Sequence, residues 1–562
     1  MKKYNFSTNS VEHSDRSHWV KMVLLAVGFL VFSPACTDLD EEIYSEVTAE
    51  NFFQTEDELI SALGAAYTSL YGYTGNWTSA QEVSSDEVVV PTRGPDWGDG
   101  GHWVRMHQHL WTSEDDIVNG AWNFLFGGVS ACNRLIFQFQ ELGNPLTDPF
   151  IDELRALRGI YYLWLMDLYG NVPIVTKFAD ADPNPPTNSR SEIFDFVESE
   201  LTSALPNLSA NVDASTYGRV NQMVTQVALA KLYLNAEVYR GTPRWADAIA
   251  ACDAVINSGN FSLSSNYHDN FAIMNSGSPE NIFSIPYDAV FAGGFNLVMQ
   301  TLSYINQQTY NLAAQPWNGW CTLESFYNSY SDTDLRKGQA NTETEDYARD
   351  PGNFIVGPQF SSSGDRLLDA GTLASGTDPD GEPFTYRDFI NELAPTAWRE
   401  AGARIKKYEF EIGGQSNMNN DFPIYRYADV LLMKAEAIWR MNGNSQDPDA
   451  LALVNQIRTR SGLSDLTTLD GCISYKDYTG SDYNYDPNDP MACGNPVPGG
   501  ELYNERGREM FFESQKRSDM IRFGFYNDSW WEKPESPEHR NLFPIPRNQL
   551  DANKNLTQNP GY

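Results

Sequence analysis

Residues 501–524 read Glu501-Leu-Tyr-Asn-Glu505-Arg506-Gly-Arg508-Glu509-Met-Phe-Phe-Glu513-Ser-Gln-Lys516-Arg517-Ser-Asp519-Met-Ile-Arg522-Phe-Gly524. Glu501, Glu505, Glu509 and Glu513 recur every fourth residue, so on a helix all four carboxylates share one face. Four carboxylates on one face are the raw material of an acid–base or metal centre. Here Arg506, Arg508, Lys516, Arg517 and Arg522 are interleaved with them and can pair with them. The spacing therefore predicts a helix over about 500–523 whose charges form an ion-pair framework, with neither a catalytic nor a metal-binding role.

Working outward, helical period recurs on both sides of a less regular middle. Ala428, Leu431, Leu432, Ala435, Ile438 and Trp439 line one face of a helix over about 424–441. Leu451, Val454 and Ile457 line the next, which stops at Gly462. An earlier pair spans about 220–239 and 243–257, joined by Gly241-Thr242-Pro243, with Ala228, Leu229, Leu232 and Ala236 able to face Trp245, Ala248, Ile249 and Cys252. Further helices are expected near 116–140, 150–169 and 190–205. Thr55-Glu56-Asp57-Glu58 is a capping box before the apolar stripe Leu59, Ala62, Leu63, Ala66, Leu70. Residues 260–420 lack helical period and are rich in Gly, Asn, Ser, Pro and Asp. Loops that long tend to carry function.

The N-terminus reads as an address. Met22–Phe32 is an apolar run of eleven residues, which at 1.5 Å each crosses only about half of a ~30 Å hydrocarbon core. Lys2, Lys3, Arg16 and Lys21 precede it and Ser33-Pro34-Ala35 follow, the pattern of an export signal over 1–35. Small residues running into Cys36 resemble a bacterial lipobox, in which that cysteine becomes N-terminal and acylated. The acidic run Thr37-Asp-Leu-Asp-Glu-Glu42 resembles a surface-export tag of Bacteroidetes-type lipoproteins. Five cysteines remain beyond Cys36. Cys132 and Cys252 sit in Ala-rich helical contexts and are expected in the core. Cys472 and Cys493 bracket a Tyr-, Asp- and Pro-rich stretch. A bridge there would close a loop of about 20 residues, worth on the order of 3 kcal/mol, and the sequence is compatible with either state.

The 501–524 stretch is similar to the C-terminal signature of the SusD/RagB family. The tail Phe543-Pro-Ile-Pro546 and Asn555-Leu-Thr-Gln-Asn-Pro-Gly-Tyr562, the segments Tyr425–Ala437 and Asn455–Gly462, and Cys36 with Asn51–Leu59 also resemble that family's motifs. The blocks run in order from Cys36 to Tyr562. The resemblance implies a mostly α, SusD-like fold, with four tetratricopeptide-like helix pairs packed against an irregular, loop-rich region. That domain would span 36–562, with an N-terminal part of about 36–260 and a loop-rich and C-terminal part of about 261–562. It further implies a non-enzymatic glycan- or peptide-binding lipoprotein, held to outer-membrane lipid through Cys36 and facing outward. Its partner would be a SusC-like TonB-dependent transporter.

Composition narrows the ligand. The 562 residues carry 39 basic against 75 acidic side chains, a formal charge of −36. Loss of 1–35 removes four basic and two acidic groups, leaving −38. Nucleic acid and other polyanions are disfavoured, and neutral glycans are favoured. Sugars lay C–H faces on indole and phenol rings while planar polar groups bond their hydroxyls. Two loops offer such groups. The first, Tyr73–Trp103, supplies Tyr73, Arg93, Asp96, Trp97 and Trp103. The second, Pro316-Trp317-Asn318-Gly319-Trp320, supplies Trp317 and Trp320. His102, His107 and His109 lack a familiar zinc spacing and are expected to hold loops. Asp378-Pro-Asp380-Gly-Glu382 falls short of a calcium loop. No cofactor and no metal is expected. GxSxG, GxxxxGK and HExxH are absent. A glycoside hydrolase, needing only two carboxylates in some acidic loop, is the alternative from another class.

Overall fold

The computed structural model describes residues 53, 55–369, 383–476, 478–479, 482–483, 485–489 and 491–562. The export signal, Cys36 with its acidic run, and Asp378, Asp380 and Glu382 lie outside the described residues. Among the described residues ten longer helices dominate: α1 (Glu56–Tyr67), α2 (Asp116–Leu142), α3 (Asp148–Tyr169), α4 (Arg190–Ala204), α5 (Gln222–Leu234), α6 (Trp245–Asn257), α7 (Tyr427–Asn442), α8 (Pro448–Arg460), α9 (Gly500–Met510) and α10 (Lys516–Phe523). Local signals start and stop them. Ser189 and Glu192 close a capping box at the start of α4. Asn221 accepts from Met223 N and Val224 N ahead of α5. Gly143 and Gly443, both in left-handed conformation, end α2 and α7.

Helices adjacent in the chain pack on one another: α2 on α3, α3 on α4, α5 on α6, α7 on α8, with α6 also against α7. Gly128 permits the first contact, because a Cβ there would sit 2.2 Å from the Tyr161 ring. The α7–α8 core is the apolar set read from the sequence: Ala428, Leu431, Leu432, Ala435 and Ile438 pack with Val454 and Ile457, and Leu469 and Leu502 close it. Cys132 and Cys252 are buried core residues, whereas Trp245 remains half-exposed at the start of α6. Cys472 and Cys493 are bridged.

The expected single helix over 500–523 is two. Phe512 and Ser514 adopt left-handed backbone (φ 55° and 58°) and break it between α9 and α10. The turn is held in place by buried acceptors: Glu87 takes the amide of Phe512 at 3.1 Å and Glu82 that of Ser514 at 2.6 Å. Glu513, at the turn's centre, pairs with Lys407 and with Arg426 at 2.7 Å.

The signature carboxylates do form an ion-pair framework, but most of its cations come from elsewhere. Arg336 binds Glu505 at 2.7 Å and Glu509 at 3.0 Å, Arg458 binds Glu501 and Glu505 at 3.1 Å, and Arg460 binds Glu509 at 2.6 Å. Of the interleaved cations, Arg508 joins Glu505 at 2.8 Å. Arg506 and Arg522 instead turn to Asp519, at 2.8 and 2.6 Å, and Arg522 also to Glu436 at 2.6 Å. Arg517 binds Asp167 on α3 at 2.8 Å. A one-dimensional pattern sees neighbours on one helix; burial brought in the partners from α7, α8 and the 334–336 turn. Such pairs add little net stability, yet losing one partner strands the other charge.

The middle of the chain is loops stitched by short antiparallel strands. Asn281–Ile285 pairs with Phe422–Arg426, Phe354–Ile355 with Arg404–Ile405, and Val88–Val89 with Cys321–Thr322. This last pair positions the candidate site.

A candidate ligand-binding face

Antiparallel pairing sets the end of one strand beside the start of the other. Val88 opposes Thr322 and Val89 opposes Cys321. The chain leaving Val89 therefore emerges next to the chain entering Cys321. The loop carrying Arg93 to Trp103 is thereby placed against Pro316–Trp320, more than 200 residues later.

Arg93 fastens the two together. It is fully buried, and its guanidinium donates to four main-chain carbonyls: Asn318 at 3.0 Å, Gly319 at 3.2 Å, Trp398 at 3.2 Å and Ala401 at 3.0 Å. The expectation that Arg93 contacts ligand is thus corrected. A planar five-donor fork satisfies converging carbonyls that no other side chain could serve, and here it locks three loops. The third, 393–401, is also tied by Thr92 N to Leu393 O at 2.8 Å and Ala397 N to Thr92 O at 3.0 Å. On the other side, the backbone of 317–320 is pinned by Trp317 N to Met299 O at 2.6 Å and Gly319 N to Gln300 O at 2.8 Å.

Upon this frame the aromatic side chains divide. Trp97 is half-buried and Trp317 is 41% exposed. The Trp97 indole N–H donates to Trp317 O at 2.7 Å, so the two residues share one patch of surface. Beneath them a file of rings runs inward, from Trp97 to Trp103 at 5.5 Å, Trp103 to Trp320 at 5.7 Å, and Trp320 to Phe512 at 5.9 Å. Trp103 is buried, with its N–H on Asp99 at 2.8 Å, and Trp320 is 1% exposed. Both therefore support the face and do not present a ring to ligand, a correction to the sequence reading. Edge-to-face packing of this kind orients each ring against the next. Backbone geometry is unusual at the same place: Trp97 and Asn318 hold φ of 57° and 56°. Asn tolerates the left-handed region, whereas for Trp it is costly and persists where the surroundings impose it.

Asp96 accepts a hydrogen bond from the Tyr304 hydroxyl. Burial, and then the Asp96 carboxylate, push that phenol up to about 12, so it remains a donor at neutral pH. Tyr304 and Trp398, both half-buried beside these loops, were missed by the sequence reading. Tyr304 is adjacent through Asp96 and Trp398 through Arg93. Neither carries a local signal, because the loop crossing that recruits them is tertiary.

Tyr73 is elsewhere. Residues 73–82 form helical turns, not the beginning of a loop, and Tyr73 is buried against Trp77, Phe124, Trp164 and Phe422. An alternating run of Tyr, Gly, Asn and Trp reads as loop, but its rings bury against α2 and α3. Two of the three histidines hold loops: His107 bonds Trp531 O at 2.8 Å, and His109 bridges Ser84 O at 2.8 Å and Ser536 at 3.0 Å, whereas Nε2 of His102 is buried with no hydrogen-bond partner among the described residues. Burial pushes His107 down to about 4.

Comparison with known proteins bears on this arrangement. Residues 279–539 match the family model described as "SusD family". The starch-binding protein SusD of Bacteroides thetaiotaomicron is 24% identical over 530 residues, covering 87% of this chain and 86% of that protein. A SusD-like protein of Formosa agariphila is 23% identical, covering 91% and 89%. Among solved structures, a surface glycan-binding protein A from Bacteroides thetaiotaomicron, in complex with laminarihexaose, superposes with a TM-score of 0.65 at 21% identity, over 90% of this chain and 99% of that one.

Proposed function

The chain belongs to the SusD family, and from that membership together with the Trp97–Trp317 face we propose that it is a cell-surface glycan-binding protein. Its surface indoles stack on the C–H faces of an uncharged oligosaccharide. Asp96 with Tyr304 supplies hydrogen-bonding groups at the edge. The captured chain passes to a SusC-like TonB-dependent transporter in the outer membrane, to which the protein is tethered by lipid on Cys36. It works by binding and release, without altering its ligand. The observation that carries this reading is the pre-arranged pair itself: the Trp97 indole is hydrogen-bonded to the main-chain carbonyl of Trp317, on loops locked by Arg93. A shallow face suits a carrier, since bound sugar must leave again. Support comes also from relatives whose names record starch and glycan binding.

Titration of the chain with laminarihexaose, maltohexaose and a pool of peptides tests the proposal. Trp317→Ala is expected to weaken hexasaccharide binding by roughly tenfold or more, equivalent to about 1.4 kcal/mol, with the thermal midpoint almost unmoved because the ring is exposed. Binding of peptides and of no sugar would favour a peptide carrier. Release of shortened sugars, abolished by one Asp or Glu substitution, would make it a hydrolase.

A further inference from the structure

A second aromatic site lies far along the chain from the loop face. The structure contains a cleft of about 640 Å³ where the start of α6, the end of α7 and the turn between α7 and α8 converge. Trp245, Trp439, Arg440, Asn444, Gln446 and Asp470 are among its lining residues. The volume is that of a site for a small organic ligand. Trp245 sits there although helix packing does not require it. Ala248, Ala251, Cys252 and Val255 bury the α6 face, while Trp245 stays half-exposed and makes no ring–ring contact among the described residues.

The floor is a stack of flat groups. The Arg440 guanidinium lies 5.5 Å from the Trp245 ring centre, 5.1 Å from that of Trp439 and 4.8 Å from that of Phe523. Trp439 and Phe523 are parallel within 11°. Arg440 is already committed, with its Nε on Glu436 at 2.7 Å and an amino group on Arg522 O at 3.2 Å. It shares Glu436 with Arg522 and is thus engaged before any ligand arrives, acting as a planar surface more than as an anion receptor. Exposed Glu237 and half-buried Asp470 make the remaining charge negative. The exposed amides Asn444 and Gln446 complete the rim. A floor of flat rings around an already bonded guanidinium, a planar polar rim and acidic flanks together describe the recognition chemistry of an uncharged sugar.

We propose that this cleft is a second saccharide-binding site, separate from the Trp97–Trp317 face, with Trp245 as its stacking platform and Gln446 as a hydrogen-bonding contact. It rests on the chemistry of the cleft and stands or falls apart from the loop face. Two sites on one chain would hold two segments of a polymer, or two short chains, at once, and raise the avidity for long glycans over short ones.

Calorimetric titration of the full chain with laminaritriose, maltotriose and xylotriose tests it, since short chains report each site as a separate event. At least one is expected to bind with a stoichiometry of two. Trp245→Ala and, separately, Gln446→Ala should each weaken one of the two events by about tenfold and leave the other. Trp317→Ala should do the reverse. Gln446 is exposed, so its variant reports on binding even where Trp245→Ala disturbs α6. A single event that depends on Trp317, or two events both indifferent to Trp245→Ala and Gln446→Ala, overturns the second site while leaving the loop face intact. A single event weakened by Trp245→Ala and Gln446→Ala and indifferent to Trp317→Ala would overturn the loop face and leave the cleft.

Discussion

Gly319 shows how closely single residues are specified at the loop face. A Cβ at this position would lie 2.2 Å from Cε2 of Trp97, a distance no neighbour can absorb without moving the indole. Gly319→Ala is therefore expected to expel Trp97 from its hydrogen bond to Trp317 O. Sugar affinity should fall at least as far as in Trp317→Ala, and overpacking should cost about 1–3 kcal/mol of stability. Gly64 is the control: it is exposed in the interior of α1, a Cβ there meets nothing within 4 Å, and Gly64→Ala should gain up to about 1 kcal/mol. Denaturant titration of both variants, with sugar binding by fluorescence, checks the pair; unchanged binding in Gly319→Ala would show that Trp97 does not need its observed place. At this scale the sequence was half informative. Trp in a Gly/Pro/Asp loop flagged Trp97 and Trp317, which do reach the surface. The same signal flagged Trp103 and Trp320, which lie under them, because residue type cannot report which ring of a stack is outermost.

At the scale of elements, the 471–500 segment carries its own prediction. Cys472 and Cys493 are bridged, and just outside them Gly471 and Val497 exchange two main-chain hydrogen bonds at 3.2 and 2.9 Å. Those bonds hold the segment ends together even without the disulfide. Cys493→Ser should therefore cost no more than the ~3 kcal/mol of loop closure, and closer to 1–2. Guanidinium unfolding of the variant and of the reduced parent measures this; a larger loss would mean that the hydrogen-bonded bridge forms only under covalent constraint. Helices were legible here wherever an apolar stripe met a capping or glycine signal, as in α3, α4 and α7. The break after Met510 was not legible. Its cause is the pair Glu82 and Glu87, which accept the turn's amides from more than 420 residues away.

For the molecule as a whole, the decisive balance is between an acidic surface and a buried charge lattice. The formal charge of −36 predicts self-repulsion that eases on acidification, which alone would stabilise the fold as pH falls. The lattice acts in the opposite sense. Burial opposes ionisation of Glu436 and Asp519, yet Arg522 with Arg440, and Arg506 with Arg522, hold them down at about 2; Glu505 and Glu509 are lowered likewise by Arg336 and Arg460 among others. A carboxylate depressed in the folded state contributes stability that is complete above its unfolded pKa and drains away as pH falls toward its folded one. For these groups the window runs from about 4.5 down to about 2. His107, pushed by burial from 6.5 to about 4, adds a penalty that accumulates across that earlier interval. Glu82 and Glu87 are raised by burial, so their contribution is present at low pH and lost as pH rises through their folded values. Asp86, Asp421 and Glu532 are raised by burial as well; together they soften the acid limb without reversing it, because Asp115 and Asp429 join the lowered carboxylates and His102, His109 and His268 the lowered histidines. Calorimetry from pH 7 to pH 3 should thus find a thermal midpoint that begins to drop below about 6.5 and falls more steeply below about 4.5. Glu436→Gln should flatten the steeper part while lowering stability at pH 7 by about 3–5 kcal/mol, since Arg522 and Arg440 lose their shared partner. A midpoint that climbs steadily on acidification would mean that relief of surface repulsion outweighs the lattice, and that the signature helix owes its place to packing and not to its charges.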